Sequence, residues 1–224
     1  MKEVLRLLRE SMPFYILATV LLFGGAWVGF EYSEAFEEQI NLMLEQLEDI
    51  VEHITEKESS LYTAWFIFQN NTKAGLMLVT LGLFLFFAPG FSLFTNGLMI
   101  GYILQKSAEN GVVISDIILY GLLPHGILEL PAIIMAGGLG MFLGWRLFRW
   151  MTGKGGFFSH LFGEHRERGI SSLWENRGKG IFKERLQATS ALLILMIITL
   201  LVAALIESYI TPILMEKMIG NLNI

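Results

Sequence analysis

The chain has 224 residues, of which 54% are hydrophobic and 17% charged, and its formal net charge is −5. This composition is too apolar for an ordinary soluble domain of this length, and it predicts an all-α integral membrane protein. The sequence contains no cysteine, which excludes disulfides, thiolate metal sites and a cysteine nucleophile.

About five segments are predicted to cross the membrane, because a helical crossing needs about 20 mostly apolar residues. The apolar part of the first segment is longer than that of a usual signal peptide, so we interpret it as a retained helix. The predicted spans are residues 13–30, 73–89, 92–106, 126–148 and 188–207.

Two prolines, Pro124 and Pro131, interrupt the long apolar stretch before the fourth predicted crossing. Proline lacks an amide hydrogen and clashes with the preceding helical turn, so we interpret both as helix breaks. The sequence therefore predicts a re-entrant or broken helix over residues 113–123. Non-helical backbone at membrane depth is tolerated only among protein or water, so this segment is expected to be buried in the bundle.

Residues 34–58 combine an apolar stripe at steps of three and four with many acidic residues. This pattern predicts an amphipathic helix outside the membrane. Its anionic polar face disfavours binding to anionic lipid. Two interpretations stay open: a solvated connector between two spans, or a helix that binds a partner or dimerises.

Residues 149–186 are predicted to be a basic loop. The positive-inside rule places this loop and the basic N-terminus in the cytoplasm, and the acidic helix outside. Five crossings then put the C-terminus outside, so we expect a multi-pass protein of the cell membrane. The same rule accounts for the cations and aromatic residues of the loop, and no nucleic-acid partner is expected.

Glycines in the predicted spans occur in pairs that are four residues apart. Small residues at this spacing let helices approach closely within a bilayer. The pattern predicts a compact bundle or a tight homo-oligomer such as a dimer. The predicted packing positions are Gly25, Gly29, Gly97, Gly101, Gly140 and Gly144.

Several polar residues lie within or beside the predicted spans: Asn71, Asn96, His125, Glu129 and Glu207. His125 and Glu129 are four residues apart, so on one helix they share a face. Antiparallel fourth and fifth spans would bring these two and Glu207 together toward the outer leaflet, whereas Asn96 would lie nearer the inner side.

Two interpretations of these polar groups stay open. They satisfy backbone groups freed by the two prolines, or they form a functional site for a proton or metal cation, with His125, Glu129 and Glu207 as candidate ligands. No other cofactor is expected. The usual catalytic motifs are missing and no nucleophile accompanies the histidine, so an enzyme is the least supported function.

Four segments together resemble the stage II sporulation protein M family of integral membrane proteins. They are "FQNNTKAG" at residues 68–75, "LFTNGLMIGYIL" at 93–104, "LLPHGILELPAIIMAGGLGMFLG" at 122–144 and "AALIESYITP" at 203–212. The resemblance implies a membrane partner of peptidoglycan hydrolases during engulfment of the forespore. It carries over Asn71, Asn96, His125, Glu129, Pro131 and Glu207 as motif positions, without an established chemistry.

Two functions follow from these observations. The first is a non-catalytic membrane scaffold or assembly partner, which would contact the lipid bilayer and a membrane or cell-envelope protein. The alternative is a transporter or channel for a cation, proton or small solute that uses the intramembrane histidine and glutamates.

Overall fold

The computed structural model describes residues 2–38, 40–42, 59–152 and 178–221, and these contain helices and no strand. The helices are α1 (Lys2–Glu31), α2 (Ser60–Phe84), α3 (Ala88–Glu109), α4 (Ile114–Asp116), α5 (Leu123–Thr152), α6 (Gly178–Tyr209) and α7 (Thr211–Asn221). A 3-10 turn covers Ser33–Phe36, and a π-helical turn covers Ile117–Leu122.

Three helical segments in the described part of the chain are long and apolar enough to cross a membrane. They are Lys2–Glu31, Ile114–Arg149 and Leu186–Lys217. The predicted class, an all-α membrane protein, is confirmed. Helices α2 and α3, with 25 and 22 residues, are not among these three segments, and α2 contains the polar sequence "QNNTK" at 69–73.

Helix α2 begins and ends earlier than the predicted span 73–89. The Ser59 hydroxyl caps its N-terminus by accepting a hydrogen bond from the amide of Tyr62 at 3.4 Å, which satisfies one of the free donors of the first turn. Pro89 lies in the first turn of α3, where its missing amide hydrogen costs little. A turn of only three residues therefore separates α2 from α3.

The prediction of a re-entrant or broken helix over residues 113–123 is wrong, because the backbone is helical without interruption from Ile114 into α5. The helix widens instead of breaking: in the π-helical turn the amide of Leu123 donates to the carbonyl of Ile118, five residues earlier. This wider turn directly precedes Pro124 and gives its ring room beside the preceding carbonyls.

The prediction that Pro131 breaks a helix is also wrong, because Pro131 lies inside α5. Its side chain is exposed, whereas the next residue, Ala132, is buried. A proline on the outer face of a helix is accommodated by bending away from the missing hydrogen bond, and the packed face continues.

Two pairs of helices run parallel in direct backbone contact. Gly97 and Gly101 of α3 lie against the carbonyls of Leu22 and Ala26 of α1. Helix α5 packs parallel to α2 in the same way, through Gly140 and Gly144. A Cβ at any of the six predicted packing positions would overlap a carbonyl oxygen of the neighbouring helix: Gly25, Gly29, Gly97, Gly101, Gly140 and Gly144.

The other main contacts are antiparallel. Phe14 of α1 packs edge-on against Phe142 of α5, with ring centroids 5.8 Å apart. The Ser208 hydroxyl near the end of α6 donates to the carbonyl of Ser60 at the start of α2, and Gly75 of α2 lies against Met196 in the middle of α6. The five long helices α1, α2, α3, α5 and α6 therefore alternate in direction along the chain.

The bundle has two chemically different ends. At the basic end, which carries Arg6, Arg9, Arg146 and Arg149, Arg146 donates to the Glu10 carboxylate at 2.9 Å and lies 5.4 Å from the ring centroid of Phe142. The acidic end carries Glu31, Glu34, Glu37, Glu38 and Glu109. The charge asymmetry seen in the sequence is thus an asymmetry between two ends of one bundle.

Two predicted segments lie largely outside the described residues. Of the amphipathic helix predicted at 34–58, the structure describes the 3-10 turn and helical residues up to 42, and residues 39 and 43–58 lie outside. Of the basic loop predicted at 149–186, both margins are helical, and residues 153–177 lie outside.

Candidate functional site

The structure brings together three titratable side chains at the acidic end of the bundle. Donor atoms of His125, Glu129 and Glu207 all lie within 4.8 Å of one another. All three residues are half-buried. They form the polar cluster discussed below, and this is the arrangement that antiparallel α5 and α6 predicted from the sequence.

The polar cluster continues the packed faces of the two helices that carry it. His125, Glu129, Ala132 and Ala136 follow one face of α5 at steps of four, three and four residues. Ala132 and Ala136 pack with Met196 and Leu200 of α6 in the core. The antiparallel register of that packing brings His125 level with Glu207, which lies two turns after Leu200 in α6.

Buried small residues flank the polar cluster on both helices. Ala203 and Ala204, one turn before Glu207, are fully buried, and Gly126 is buried next to His125. The hydrogen bond from Ser208 to the Ser60 carbonyl holds α2 against the same end of α6. The cluster is therefore held between helices and does not lie on a loop.

Nδ1 of His125 is buried and has no hydrogen-bond partner among the described residues. A buried polar atom without a partner is uncommon and indicates an ion, a water or strain at that point. Two carboxylates this close repel each other when both are ionised. A proton, an imidazolium or a bound cation relieves that repulsion, so the arrangement suits binding of a positive charge.

Two of the predicted polar residues do not join the polar cluster. The Asn96 amide donates to the carbonyl of Ser92, one turn earlier in α3, at 2.9 Å. Asn71 is half-buried on the face of α2 that also carries Ala64, Phe68 and Gly75. It shares the packed interior with α6, but the structure assigns it no part in the three-residue cluster.

A second feature, an apolar groove of about 410 Å³ at the basic end, was missed from the sequence. The aromatic groove is lined by Phe14, Leu17, Leu21, Phe86, Phe87, Gly90, Phe91, Phe94, Met141 and Trp145. Its aromatic residues come from four regions of the chain. The available signal was the dense aromatic run "FLFFAPGF" at 84–91, most of which lies in the predicted span 73–89.

The aromatic side chains around the groove also contact one another. Phe86 packs against Trp145 and Phe148 of α5, with centroids 5.5 Å apart in both cases. At the rim, Phe87 and Phe91 are 62% and 70% exposed. One wall is therefore fixed by ring packing, while the rim is open to a partner.

The polar cluster and the aromatic groove both lie within the region matched by a family model. The model described as SpoIIM, stage II sporulation protein M, matches residues 14–212. The chain belongs to this family. Comparisons with curated proteins and with solved structures gave no match.

Proposed function

We propose that all five long helices cross the cell membrane, with the basic end and the N-terminus in the cytoplasm and the C-terminus outside. Alternating helix directions along the chain support this, and so does the positive-inside rule applied to the two ends of the bundle. Glu129 and Arg146, near opposite ends of α5, are separated by about 26 Å at 1.5 Å per residue. That separation suits a hydrocarbon core about 30 Å thick.

We infer that this SpoIIM family member is a non-catalytic membrane scaffold that binds another membrane or cell-envelope protein. The aromatic groove is the observation that carries this proposal. In the proposed topology it lies at the cytoplasmic end of the spans. Its walls come from α1, α3, α5 and the α2–α3 turn, and backbone contacts at glycines hold these helices in a fixed arrangement.

A partner helix suits the aromatic groove better than general lipid contact does. Aromatic residues are enriched at the centres of protein interfaces, and here they form a concave surface. Gly90 lies in the wall, where Leu21 of α1 and Met141 of α5 pack against it. By contrast, α6 presents an aliphatic surface of Ile194, Leu195 and Ile198, which is typical of contact with acyl chains.

The six packing glycines bear on the predicted homo-oligomer. All of them contact helices of the same chain, so a dimer would need a different surface. These glycines therefore do not support a dimer, and we propose that the aromatic groove binds a protein other than a second copy.

Site-specific photo-crosslinking in the native cells tests the scaffold proposal. A photoreactive amino acid at Phe91, which is 70% exposed, should give a discrete adduct with one other protein. The same amino acid at Ile194, which is 57% exposed on α6, is the matched control and should give lipid adducts alone. Phe87→Ala should weaken the adduct at Phe91, because it removes the neighbouring rim contact.

Three results would count against this assignment. Lipid adducts alone at both positions would mean that the aromatic groove faces acyl chains. An adduct of twice the chain's mass would mean that it holds a second copy. Equal protein adducts at Phe91 and Ile194 would mean that neither surface is selective.

Transport of a cation or proton is the second candidate function, and the polar cluster is the observation that favours it. Substrate sites of secondary transporters lie near the middle of the bilayer, whereas the proposed topology puts this cluster near the outer boundary of the hydrocarbon core. Cation or proton uptake by proteoliposomes that contain the pure protein distinguishes the two functions, because a scaffold gives none.

A further inference from the structure

We propose that His125, Glu129 and Glu207 bind one zinc-class divalent cation that links α5 to α6 at the acidic end of the bundle. This inference is independent of the scaffold function, because it concerns the other end of the molecule. It rests on the donor set, on the charge balance and on the buried nitrogen of His125.

The donor set is one imidazole and two carboxylates. Imidazole nitrogen suits zinc and neighbouring first-row transition metals, whereas calcium and magnesium prefer sites built from oxygen alone. Three protein ligands with a fourth position open to water form a common zinc arrangement. The mixture of donors therefore selects a transition metal over the abundant hard cations.

The geometry is close to what zinc requires. With bonds of 2.0–2.2 Å, donors on a tetrahedral zinc lie about 3.4 Å apart, and the donor atoms of the polar cluster lie within 4.8 Å of one another. Rotations of the two glutamate side chains can close the difference. His125 and Glu129, at i and i+4 on α5, already present their side chains on one face.

The charge balance favours a divalent ion over a single proton. Two carboxylates and a divalent cation sum to zero beside a neutral imidazole. An imidazolium beside two carboxylates would leave a net negative charge in an apolar surrounding, which is costly. Nδ1 of His125 is buried and has no partner among the described residues, which leaves this nitrogen available to a ligand.

A bound ion would hold two helices together. His125 and Glu129 lie on α5 and Glu207 lies on α6, so one ion would join the two helices where their packed faces end. Because the metal binds the folded protein, the free energy of unfolding should increase with the logarithm of the free metal concentration once that concentration exceeds Kd.

The test uses the full chain in detergent, purified without a polyhistidine tag and stripped with EDTA. Zinc is titrated while bound metal is counted by mass spectrometry and unfolding is followed by circular dichroism. We expect one tightly bound zinc per chain and a higher thermal midpoint, both reversed by EDTA. Magnesium and calcium at the same concentration should leave the midpoint unchanged.

Isosteric variants locate the site. Glu129→Gln and Glu207→Gln should each lose the tight zinc and its thermal shift, because each removes one of three ligands. Glu216→Gln, an exposed glutamate on α7, is the matched control and should retain both. The chain has four histidines, so a His160→Gln and His165→Gln double variant, which should keep the zinc, excludes binding in the basic segment.

Two outcomes would overturn the proposal. The first is a wild-type thermal midpoint that responds to neither zinc nor EDTA, a result that does not depend on how the variants fold. The second is tight zinc that survives in both glutamate variants or is lost from the double histidine variant, since the ion would then bind elsewhere.

Discussion

At the scale of single residues, glycine decides where the helices of this bundle touch. Gly25 of α1 lies against the carbonyl of Phe94 in α3, whereas a Cβ added at its neighbour Gly24 would meet nothing within 4 Å. Two adjacent glycines on one helix thus have opposite environments. The difference arises because Gly25 faces α3 and Gly24 does not, and the local sequence alone does not show this.

Gly25→Ala should destabilise the protein by about 1–3 kcal/mol, because the new methyl group would force two backbones apart. Gly24→Ala is the matched control and should be neutral or slightly stabilising, since alanine is the better helix former by about 1 kcal/mol. Thermal unfolding in detergent measures both. Equal midpoints for the two variants would show that α1 and α3 are not in backbone contact at Gly25.

The residue scale also shows what the sequence allowed us to predict. The glycine spacing identified the positions that contact other helices, because a close helix contact needs a residue without a side chain and the sequence shows where such residues are. It did not identify the partners, because pairing α1 with α3 and α2 with α5 depends on the whole bundle. The polar cluster was predictable because the i and i+4 spacing and the antiparallel direction of two adjacent spans suffice to place it.

Among the helices, the main differences between the prediction and the structure lie at two prolines. Pro131 lies inside α5 with its side chain exposed, and the π-helical turn at Ile117–Leu122 precedes Pro124. A sequence shows that a proline lacks a donor, but it does not show whether the surrounding helix can widen or bend. Packing on the opposite face decides whether a proline ends a helix. On that face, α5 is buried at intervals from Ala132 to Met141.

Pro131→Ala should stabilise α5, because it restores an amide donor inside the helix and removes little packing; the gain is at most about 3 kcal/mol. Pro89→Ala should give no such gain. Pro89 is fully buried in the first turn of α3, where no donor is needed and packing would be lost. Thermal midpoints followed by circular dichroism compare the two, and a higher midpoint for Pro89→Ala than for Pro131→Ala would contradict this explanation.

At the scale of the whole molecule, the two candidate sites occupy opposite ends of one bundle. The polar cluster lies at the acidic end, and the aromatic groove lies at the basic end beside the Glu10–Arg146 ion pair. The charge pattern of the sequence predicted the two ends. It did not predict the groove, because that surface is assembled from residues that are distant in the chain.

The proposed place of the aromatic groove at the cytoplasmic end requires that the bundle crosses the membrane five times, with α2 and α3 as two of the crossings. Cysteine labelling tests this requirement most directly, since the chain has no cysteine of its own. In intact cells, an impermeant thiol reagent should label Glu38→Cys and Glu109→Cys at the acidic end. It should label Leu85→Cys, in the α2–α3 turn, only after the membrane is permeabilised. Labelling of Leu85→Cys in intact cells, or protection of Glu109→Cys, would contradict the five-span topology.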